Sequence, residues 1–299
     1  MSNVSASLSA PPLYKRILHA ASQFVREQPF GTVGALVILT IGFAGIFAEW
    51  VAPYDPLEIN YMSTFAPPSL EHWMGTDDFG RDILSRLIYG ARTAMIISLS
   101  ASLIGCSIGG IVGMSSAYFG GRVDFIIQRL MDVLLSFPII VLALVVVAVL
   151  GRNPVFGVDM NLVLAISIPM IPKVSRVIRS ASLQIAVMPY VDAARALGFN
   201  HRRIILRHMA PNLVAPFLIL LTAYIAQAIL LEAALSFLGL GVTEPTPAWG
   251  LMLSGNASQF FLTAPWVIIF PGLAISLSVF AFNLYGDAMR DWLDPKFKF

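Results

Sequence analysis

Charge is scarce in this sequence. Asp, Glu, Lys and Arg make up 12% of the 299 residues, and hydrophobic residues make up 57%, whereas soluble proteins carry roughly 25% charged residues. A chain with so little charge cannot coat a water-facing surface, so most of its outer surface must face lipid. The composition therefore excludes a soluble enzyme and a disordered protein. The net charge of +2 gives no reason to expect nucleic acid as a partner.

Residues and motifs that form disulfides, bind phosphate or bind metal are scarce as well. Cys106 is the single cysteine, so no internal disulfide can form and a secreted disulfide scaffold is excluded. The chain contains no Gly-Lys pair, hence no phosphate-binding loop of the G-x-x-x-x-G-K-[ST] type, and no H-E-x-x-H metal motif. The sequence predicts no catalytic residue, no metal site and no cofactor held by this chain. Energy for an uphill process would come from another subunit.

Long apolar segments are what the sequence does have. A transmembrane helix needs about 20 apolar residues to cross the hydrocarbon core. Charge-free runs of that kind lie at 30–48, 94–119, 133–151, 213–231 and 260–286. A sixth run begins near Met160 and is interrupted by Lys173, Arg176 and Arg179, whose spacing of three places them on one helical face at the water-proximal end. We predict an all-α integral membrane protein with six transmembrane helices.

The basic residues predict the orientation of these spans. With a cytoplasmic amino terminus, four cations fall outside, namely Arg81, Arg86, Arg92 and Arg152. Fifteen fall inside, namely Lys15, Arg16, Arg26, Arg122, Arg129, Lys173, Arg176, Arg179, Arg195, Arg202, Arg203, Arg207, Arg290, Lys296 and Lys298. Cytoplasmic loops carry an excess of Lys and Arg, so both termini are predicted to be cytoplasmic. The chain then divides into a cytoplasmic N-terminal tail at 1–29 and a transmembrane domain at 30–299, with a periplasmic loop at 53–91 and a cytoplasmic loop at 183–212.

That cytoplasmic loop carries the signals of a helix–turn–helix elbow. Pro189 suits the first turn of a short helix and Gly198 its left-handed end. Asn200 can cap a second helix running towards Pro211. Two small residues of the first arm, Ala193 and Ala194, would let that arm enter a groove on a partner closely. Three arginines follow on the second arm, at Arg202, Arg203 and Arg207.

Glycines mark two further places. Gly105, Gly109 and Gly113 recur every four residues in the second span, and such a stripe lets another helix approach closely. Glycines also interleave with charges in the periplasmic loop, which favours a defined turn, acting as an outer gate or docking element, over a solvated surface. The residues of that turn are Gly75, Thr76, Asp77, Gly80, Arg81 and Asp82.

Several stretches resemble one family of membrane proteins. The elbow resembles the E-A-A-x-x-x-G-x(9)-I-x-L-P loop of ABC-importer permeases. The matching positions are Asp192, Ala193, Ala194, Gly198 and Pro211, with Asp192 standing for Glu, His208 for Ile and Ala210 for Leu. Residues 74–86 resemble the G-T-D-x-x-G-R-D-x-L-S-R signature of the peptide/nickel permease group, and residues 132–138, 235–241 and 286–295 resemble its other hallmarks. The resemblance covers residues 28–297. Within this group, the sequence is similar to the "C"-type subunit of dipeptide and oligopeptide importers.

The resemblance implies a type I ABC-importer permease fold in the bacterial cytoplasmic (inner) membrane. It implies a homologous "B"-type permease, two ATPase subunits that form a heterodimer and bind ATP and Mg, and a periplasmic or lipid-anchored solute-binding protein. The elbow would be the ATPase-coupling loop, and Arg202, Arg203 and Arg207 would contact the ATPase or lipid. The glycine stripe would support assembly with the partner permease.

Some alternatives remain open from the sequence. Glu232, the one clear acidic residue within a span, would either line the translocation path and attract a peptide amino group or satisfy a neighbour near the outer leaflet. A self-contained secondary carrier is a second functional class, for which more charges within the membrane are expected. The same ABC architecture could also carry nickel chelates or glutathione.

Overall fold

The computed structural model describes residues 13–151, 153–155, 158–255, 260 and 262–293, and most of this part is helical. The helices are, in chain order, α1 (Leu13–Glu27), α2 (Pro29–Ile46), α3 (Ala48–Val51), α4 (Ile83–Phe119), α5 (Gly121–Leu135), α6 (Ile139–Leu150), α7 (Met160–Ser167), α8 (Ile171–Ala186), α9 (Pro189–Ala196), α10 (His201–Arg203), α11 (Val214–Phe237), α12 (Trp249–Met252) and α13 (Trp266–Leu293). Two-residue strands, β1 (Pro154–Val155) and β2 (Val158–Asp159), form a small antiparallel hairpin before α7.

Five helical stretches in the described residues are long and apolar enough to cross a membrane. They are Pro29–Ile46, Ile83–Phe119, Met160–Ala186, His201–Phe237 and Trp266–Leu293. A sixth span exists if α5 and α6 are counted together. The all-α membrane fold predicted from the sequence is therefore confirmed, and the last helix begins at Trp266 rather than at 260.

The prediction that residues 133–151 form one continuous transmembrane helix is wrong. Its residues are divided between α5 and α6, which meet at an angle of 93°. Pro138 lies at the break, directly before α6. Proline has no N–H to donate to the preceding turn and disfavours a helical conformation at the residue before it, so the helix stops and restarts in a new direction.

The segment predicted as an N-terminal tail contains helix α1. Phe24 of α1 packs edge-on against Tyr285, at a ring distance of 6.2 Å, and against Trp292, at 5.8 Å. This helix therefore lies against the C-terminal part of α13. Residues 1–12 of the predicted tail lie outside the described residues.

Helix α4 is the centre of the packing. Its first turns belong to an apolar cluster with α11, α12 and α13, and its later turns belong to a second cluster with α6, α7, α8 and α11. In its N-terminal part, Arg92 donates to the carbonyl oxygens of Gly45, at 2.8 Å, and Ile46, at 3.1 Å. These are carbonyls at the end of α2, which the helix itself leaves unpaired.

The glycine stripe of α4 faces α7 and α8 of the same chain. A β carbon on Gly105 would lie 2.9 Å from the Ser167 carbonyl oxygen, and one on Gly109 would lie 2.8 Å from that of Ile171. A β carbon on Gly113 would lie closer still to the Ser175 carbonyl oxygen. The stripe therefore packs against helices of its own chain and does not contact a partner permease directly. An effect of these glycines on assembly with a partner permease stays a prediction.

A Gly109→Ala variant should reveal this packing. Alanine normally stabilises a helix relative to glycine, but here its β carbon would also lie 2.8 Å from the Val174 β carbon. We expect a loss of about 1–3 kcal/mol of stability from overpacking, measured as thermal unfolding of the purified chain. Gly110→Ala is the matched control, since its β carbon would meet Phe217 at an ordinary 3.7 Å. Equal midpoints for both variants would contradict the packing argument.

Candidate coupling elbow and outer charge cluster

The backbone of the elbow follows the local signals of the sequence. Pro189 occupies the first turn of α9, and Gly198 follows that helix with a φ of +73°. The Asn200 side chain accepts a hydrogen bond of 2.9 Å from the Arg203 N–H and so caps α10. From His201 the chain runs on as helix to Phe237. The second arm of the elbow is therefore continuous with a membrane span.

The second arm changes its helical register before it reaches α11. Residues Ile204–Met209 form a π-helical turn and Ala210–Leu213 a 3-10 turn. Pro211 lies in the 3-10 turn, where its missing N–H removes a donor from the helical ladder. Short π and 3-10 segments within helices often accompany functional sites.

A small apolar core holds the two arms together. Val191 and Ala194 of α9 and Ile204 of the second arm are buried, and Tyr118 and Phe199 pack against them. Ala194 is 3% exposed, whereas the sequence leads us to expect that both Ala193 and Ala194 face a partner. Helical geometry explains this, because successive residues point about 100° apart and α9 has one face turned inward.

The outward face of α9 is formed by other residues. Asp192 and Ala193 are exposed, and Leu197 at the end of the arm is 72% exposed. Asp192 pairs with Arg195 at 3.1 Å, and such exposed pairs contribute about 0–1 kcal/mol. This face carries a small residue between a charge and an apolar side chain, which leaves room for a close protein contact.

The three arginines of the second arm are all exposed, and one has a defined aromatic contact. The Arg203 guanidinium lies 3.9 Å from the centre of the Phe199 ring, and that ring stacks on His208 at 6.0 Å. Arg202 and Arg207 are exposed to solvent. The assignment of these arginines to lipid or to an ATPase remains a prediction.

The turn at residues 75–82, which is predicted to be periplasmic, is built around the buried carboxylate of Asp77. It accepts hydrogen bonds of 2.9 Å from the N–H groups of Phe79 and Arg81 and one of 2.7 Å from the Arg81 side chain. Gly75 and Gly80 have φ values of +73° and +72°, and a β carbon on either would collide with neighbouring backbone. The turn therefore requires glycine at both places.

Further polar groups of the same turn fix the start of α4. The Asp82 carboxylate accepts hydrogen bonds of 2.8 Å from both the N–H and the hydroxyl of Ser85, and its other oxygen lies 3.0 Å from His72 Nδ1. Thr76 is buried and its hydroxyl donates to the Ser63 carbonyl. The indole N–H of Trp266 donates to the Thr76 carbonyl at 3.2 Å, which ties the turn to α13.

Glu244 completes a cluster of charges formed by Asp77, Asp78, Arg81, Arg86 and Glu244, which we call the outer charge cluster after the predicted side of the membrane. The Glu244 carboxylate is 2.9 Å from Arg81 and 3.3 Å from the fully buried Arg86. Burial and the neighbouring Asp77 carboxylate raise the pKa of Asp78 above its ordinary value. Sequence analysis missed Glu244 because it follows Arg86 by 158 residues, and no local pattern connects them.

Two predicted cationic positions also have partners that sequence analysis missed. Arg176 pairs with Asp132 of α5, and the Arg179 side chain donates to Asp124 of α5 at 2.6 Å. Arg176 and Arg179 therefore connect α8 to α5, although the Arg176 side chain is still half exposed. Lys173, on the same face, is exposed.

Glu232 is buried inside the chain. It is 1% exposed, and one carboxylate oxygen accepts a hydrogen bond of 2.7 Å from Ser236. Its other oxygen has no hydrogen-bond partner among the described residues. The geometry supports the interpretation that Glu232 satisfies a neighbour, and a role in the translocation path stays a prediction. Among the described residues, no group of three or more His, Cys, Asp or Glu is placed to hold a metal ion.

Two family descriptions match the sequence. Residues 105–299 match "Binding-protein-dependent transport system inner membrane component", and residues 22–68 match "N-terminal TM domain of oligopeptide transport permease C". The second match covers α2, α3 and the start of the loop that precedes α4. Together the two matches include every element of the elbow and the first part of that loop.

Named relatives cover almost the whole chain. A glutathione transport system permease protein of Escherichia coli is 40% identical over 98% of this chain and 97% of the relative. A peptide transport system permease protein of Brucella suis is 37% identical over 98% and 96%, and a dipeptide transport system permease protein of Alkalihalophilus pseudofirmus is 39% identical over 92% and 88%. The fold is similar to that of a chain of the MetNI methionine ABC transporter, with a TM-score of 0.55 and 15% identity over 71% of this chain and 98% of that one.

Proposed function

The chain belongs to the family of binding-protein-dependent transport system inner membrane components, and we propose on that premise that it forms a solute pathway with a second, homologous permease of the "B" type. It is a multi-pass permease of the bacterial inner membrane and a subunit of an ABC importer. The chain holds no P-loop, so two separate ATPase subunits, paired as a heterodimer, bind ATP and Mg and supply the energy. A periplasmic or lipid-anchored solute-binding protein delivers the solute.

The elbow is the observation that carries this assignment. Its first arm presents Asp192 and Ala193 outward, and its second arm continues without a break into the α11 span. A docked ATPase that moves α9 would therefore act directly on a membrane helix. We assign the positions Asp192, Ala193, Gly198 and Pro211 to ATPase coupling, with Ala194 supporting the arm from within.

Orientation is part of the proposal, with both termini and the elbow in the cytoplasm. The fifteen-to-four distribution of cations supports it. We expect a tag inserted at Ser69, an exposed residue of the periplasmic loop, to be labelled from outside in cells with a permeable outer membrane. A reporter fused after Lys298 should be active in the cytoplasm. A Ser69 tag labelled only after the inner membrane is opened would refute the orientation.

The solute class is peptides or peptide-like molecules. Relatives named for peptide, dipeptide and glutathione transport support this class. Among the described residues, His, Cys, Asp and Glu side chains do not form a group of three or more that could hold a bare metal ion. A nickel cargo would therefore travel as a chelate. Selection among these solutes rests with the binding protein.

Purification of the assembled complex tests the proposal. A tagged form of this chain should copurify with a second permease and two P-loop ATPases, and reconstituted vesicles should import solute only with ATP and the binding protein present. Uptake by vesicles that hold this chain alone would favour a self-contained carrier and would overturn the assignment.

A further inference from the structure

Tyr118, near the cytoplasmic end of α4, contacts both arms of the elbow. Its hydroxyl lies 2.8 Å from His201 Nδ1 on the second arm. Its ring lies under the Arg195 guanidinium of the first arm, at 5.4 Å, and packs against the apolar elbow core. Among the described residues of α4, Tyr118 is the one that joins a hydrogen bond to the second arm with ring contacts to both arms.

The chain connects the elbow to two other helices but not to α4. The first arm is joined to α8 through the exposed Val187 and the extended Met188. The second arm is joined to α11 through the π and 3-10 turns. Contact with α4 therefore depends on side chains, and Tyr118 supplies a directional one.

Helix α4 leads from this contact to the opposite side of the membrane. It has 37 residues, which corresponds to about 55 Å at 1.5 Å per residue. Its outer end is capped by Asp82 and carries Arg86 of the outer charge cluster. A displacement that enters α4 at Tyr118 can therefore reach the periplasmic side along one unbroken helix.

We propose that Tyr118 is a positioning residue that transmits movement of the docked elbow into α4, through its hydrogen bond to His201. This inference rests on the proposed coupling role of the elbow. It assigns to α4 a share of the conformational change that would otherwise reach the membrane through α8 and α11 alone. The apolar contacts of the ring hold the elbow in place, and the hydroxyl makes the link stiff in one direction.

Removing the hydroxyl separates these two contributions. Tyr118→Phe keeps the ring in the elbow core and removes the bond to His201. In the complete complex, reconstituted in vesicles with its binding protein, we expect normal ATPase association and continued ATP hydrolysis. The number of solute molecules imported per ATP should fall at least about five-fold, the low end of typical coupling between sites.

Three further variants define the link. His201→Ala should lower the import ratio as Tyr118→Phe does, and the double variant should be no worse than either, because both remove the same bond. His201→Asn should retain most of the ratio, since its amide can occupy the position of Nδ1. Tyr285→Phe is the control, because Tyr285 lies on α13, packs against Phe24 of α1 and makes no described hydrogen bond with its hydroxyl.

An unchanged import ratio in Tyr118→Phe would overturn the inference. A proportional loss of import and hydrolysis together with poor assembly would also overturn it, because that result indicates a purely structural role. The proposed function fails by a different observation, namely normal ATPase association in a variant whose elbow backbone is distorted. The two failures are therefore distinguishable in the same set of preparations.

Discussion

A Gly198→Val variant is expected to insert into the membrane normally, to lose its ATPases and to import no solute. Gly198 has a φ of +73°, and a β carbon built on it would have no atom within 4 Å. The substitution therefore removes no side-chain contact, and its β carbon meets no neighbouring atom. Its effect comes from the backbone, because a β-branched residue in the left-handed region costs about 1–3 kcal/mol. The elbow can avoid that cost by rotating α9 away from its docking position.

Copurification of the ATPases and solute uptake, each at equal membrane expression, measure this effect. Gly198→Asn should retain function, since asparagine tolerates the left-handed conformation. Gly239→Val is the matched control, because Gly239 has a φ of +75° in equally open surroundings but lies beyond the far end of α11. ATPase association at the parental level in Gly198→Val would show that the elbow is not the coupling element.

Asp77→Asn is expected to be the most destabilising single change in the outer charge cluster. The carboxylate of Asp77 is buried and lies 2.7 Å from Arg81 and 3.5 Å from Arg86. Asparagine keeps the shape but leaves two largely buried guanidinium groups without their central anion. Loss of one partner from a buried ion pair costs about 3–5 kcal/mol. The thermal unfolding midpoint of the purified chain should fall clearly, and transport should fall with it.

Asp78→Asn provides the contrast for that experiment. The pKa of Asp78 is raised by burial and by Asp77, so the folded state disfavours its charged form. The contribution of such a carboxyl to stability is present below its unfolded pKa and is lost as pH rises through its folded pKa. Near pH 7 a neutral side chain at this position should therefore leave the unfolding midpoint unchanged or slightly higher. An equal loss in both variants would contradict the assignment of Asp77 as the centre of the cluster.

The elements that sequence could predict are those specified by neighbouring residues. Pro189, Gly198 and Asn200 specify where the two arms begin and end through backbone conformation and capping, and the structure follows them. Gly75 and Gly80 similarly mark turns that other residues enter only with strain. Membrane spans are predictable for a related reason, because the bilayer imposes one length and one polarity on every crossing helix.

The features that sequence could not predict depend on contacts between distant segments. The pairing of Glu244 with Arg86 joins a loop to a helix across 158 residues of sequence, and the pairing of Arg179 with Asp124 joins two helices across 55 residues. The inward orientation of Ala194 depends on where Tyr118 and Phe199 lie in space. A glycine stripe likewise indicates a close neighbour without indicating whether that neighbour belongs to the same chain.

The close packing of α4 against α8 also constrains how the protein is made. Gly109 of α4 lies against Ile171 of α8, which follows it by 62 residues. A ribosome that adds about 5–20 residues per second therefore synthesises Ile171 roughly 3–12 s after Gly109. During this interval α4 must reside in the bilayer with its glycine seam facing lipid or the insertion machinery. Its opposite side carries Leu99, Leu103 and Ile111, which stay exposed in the finished chain. These side chains can anchor the newly inserted helix until α8 has been synthesised. Membrane integration of α4 therefore precedes its packing against α8.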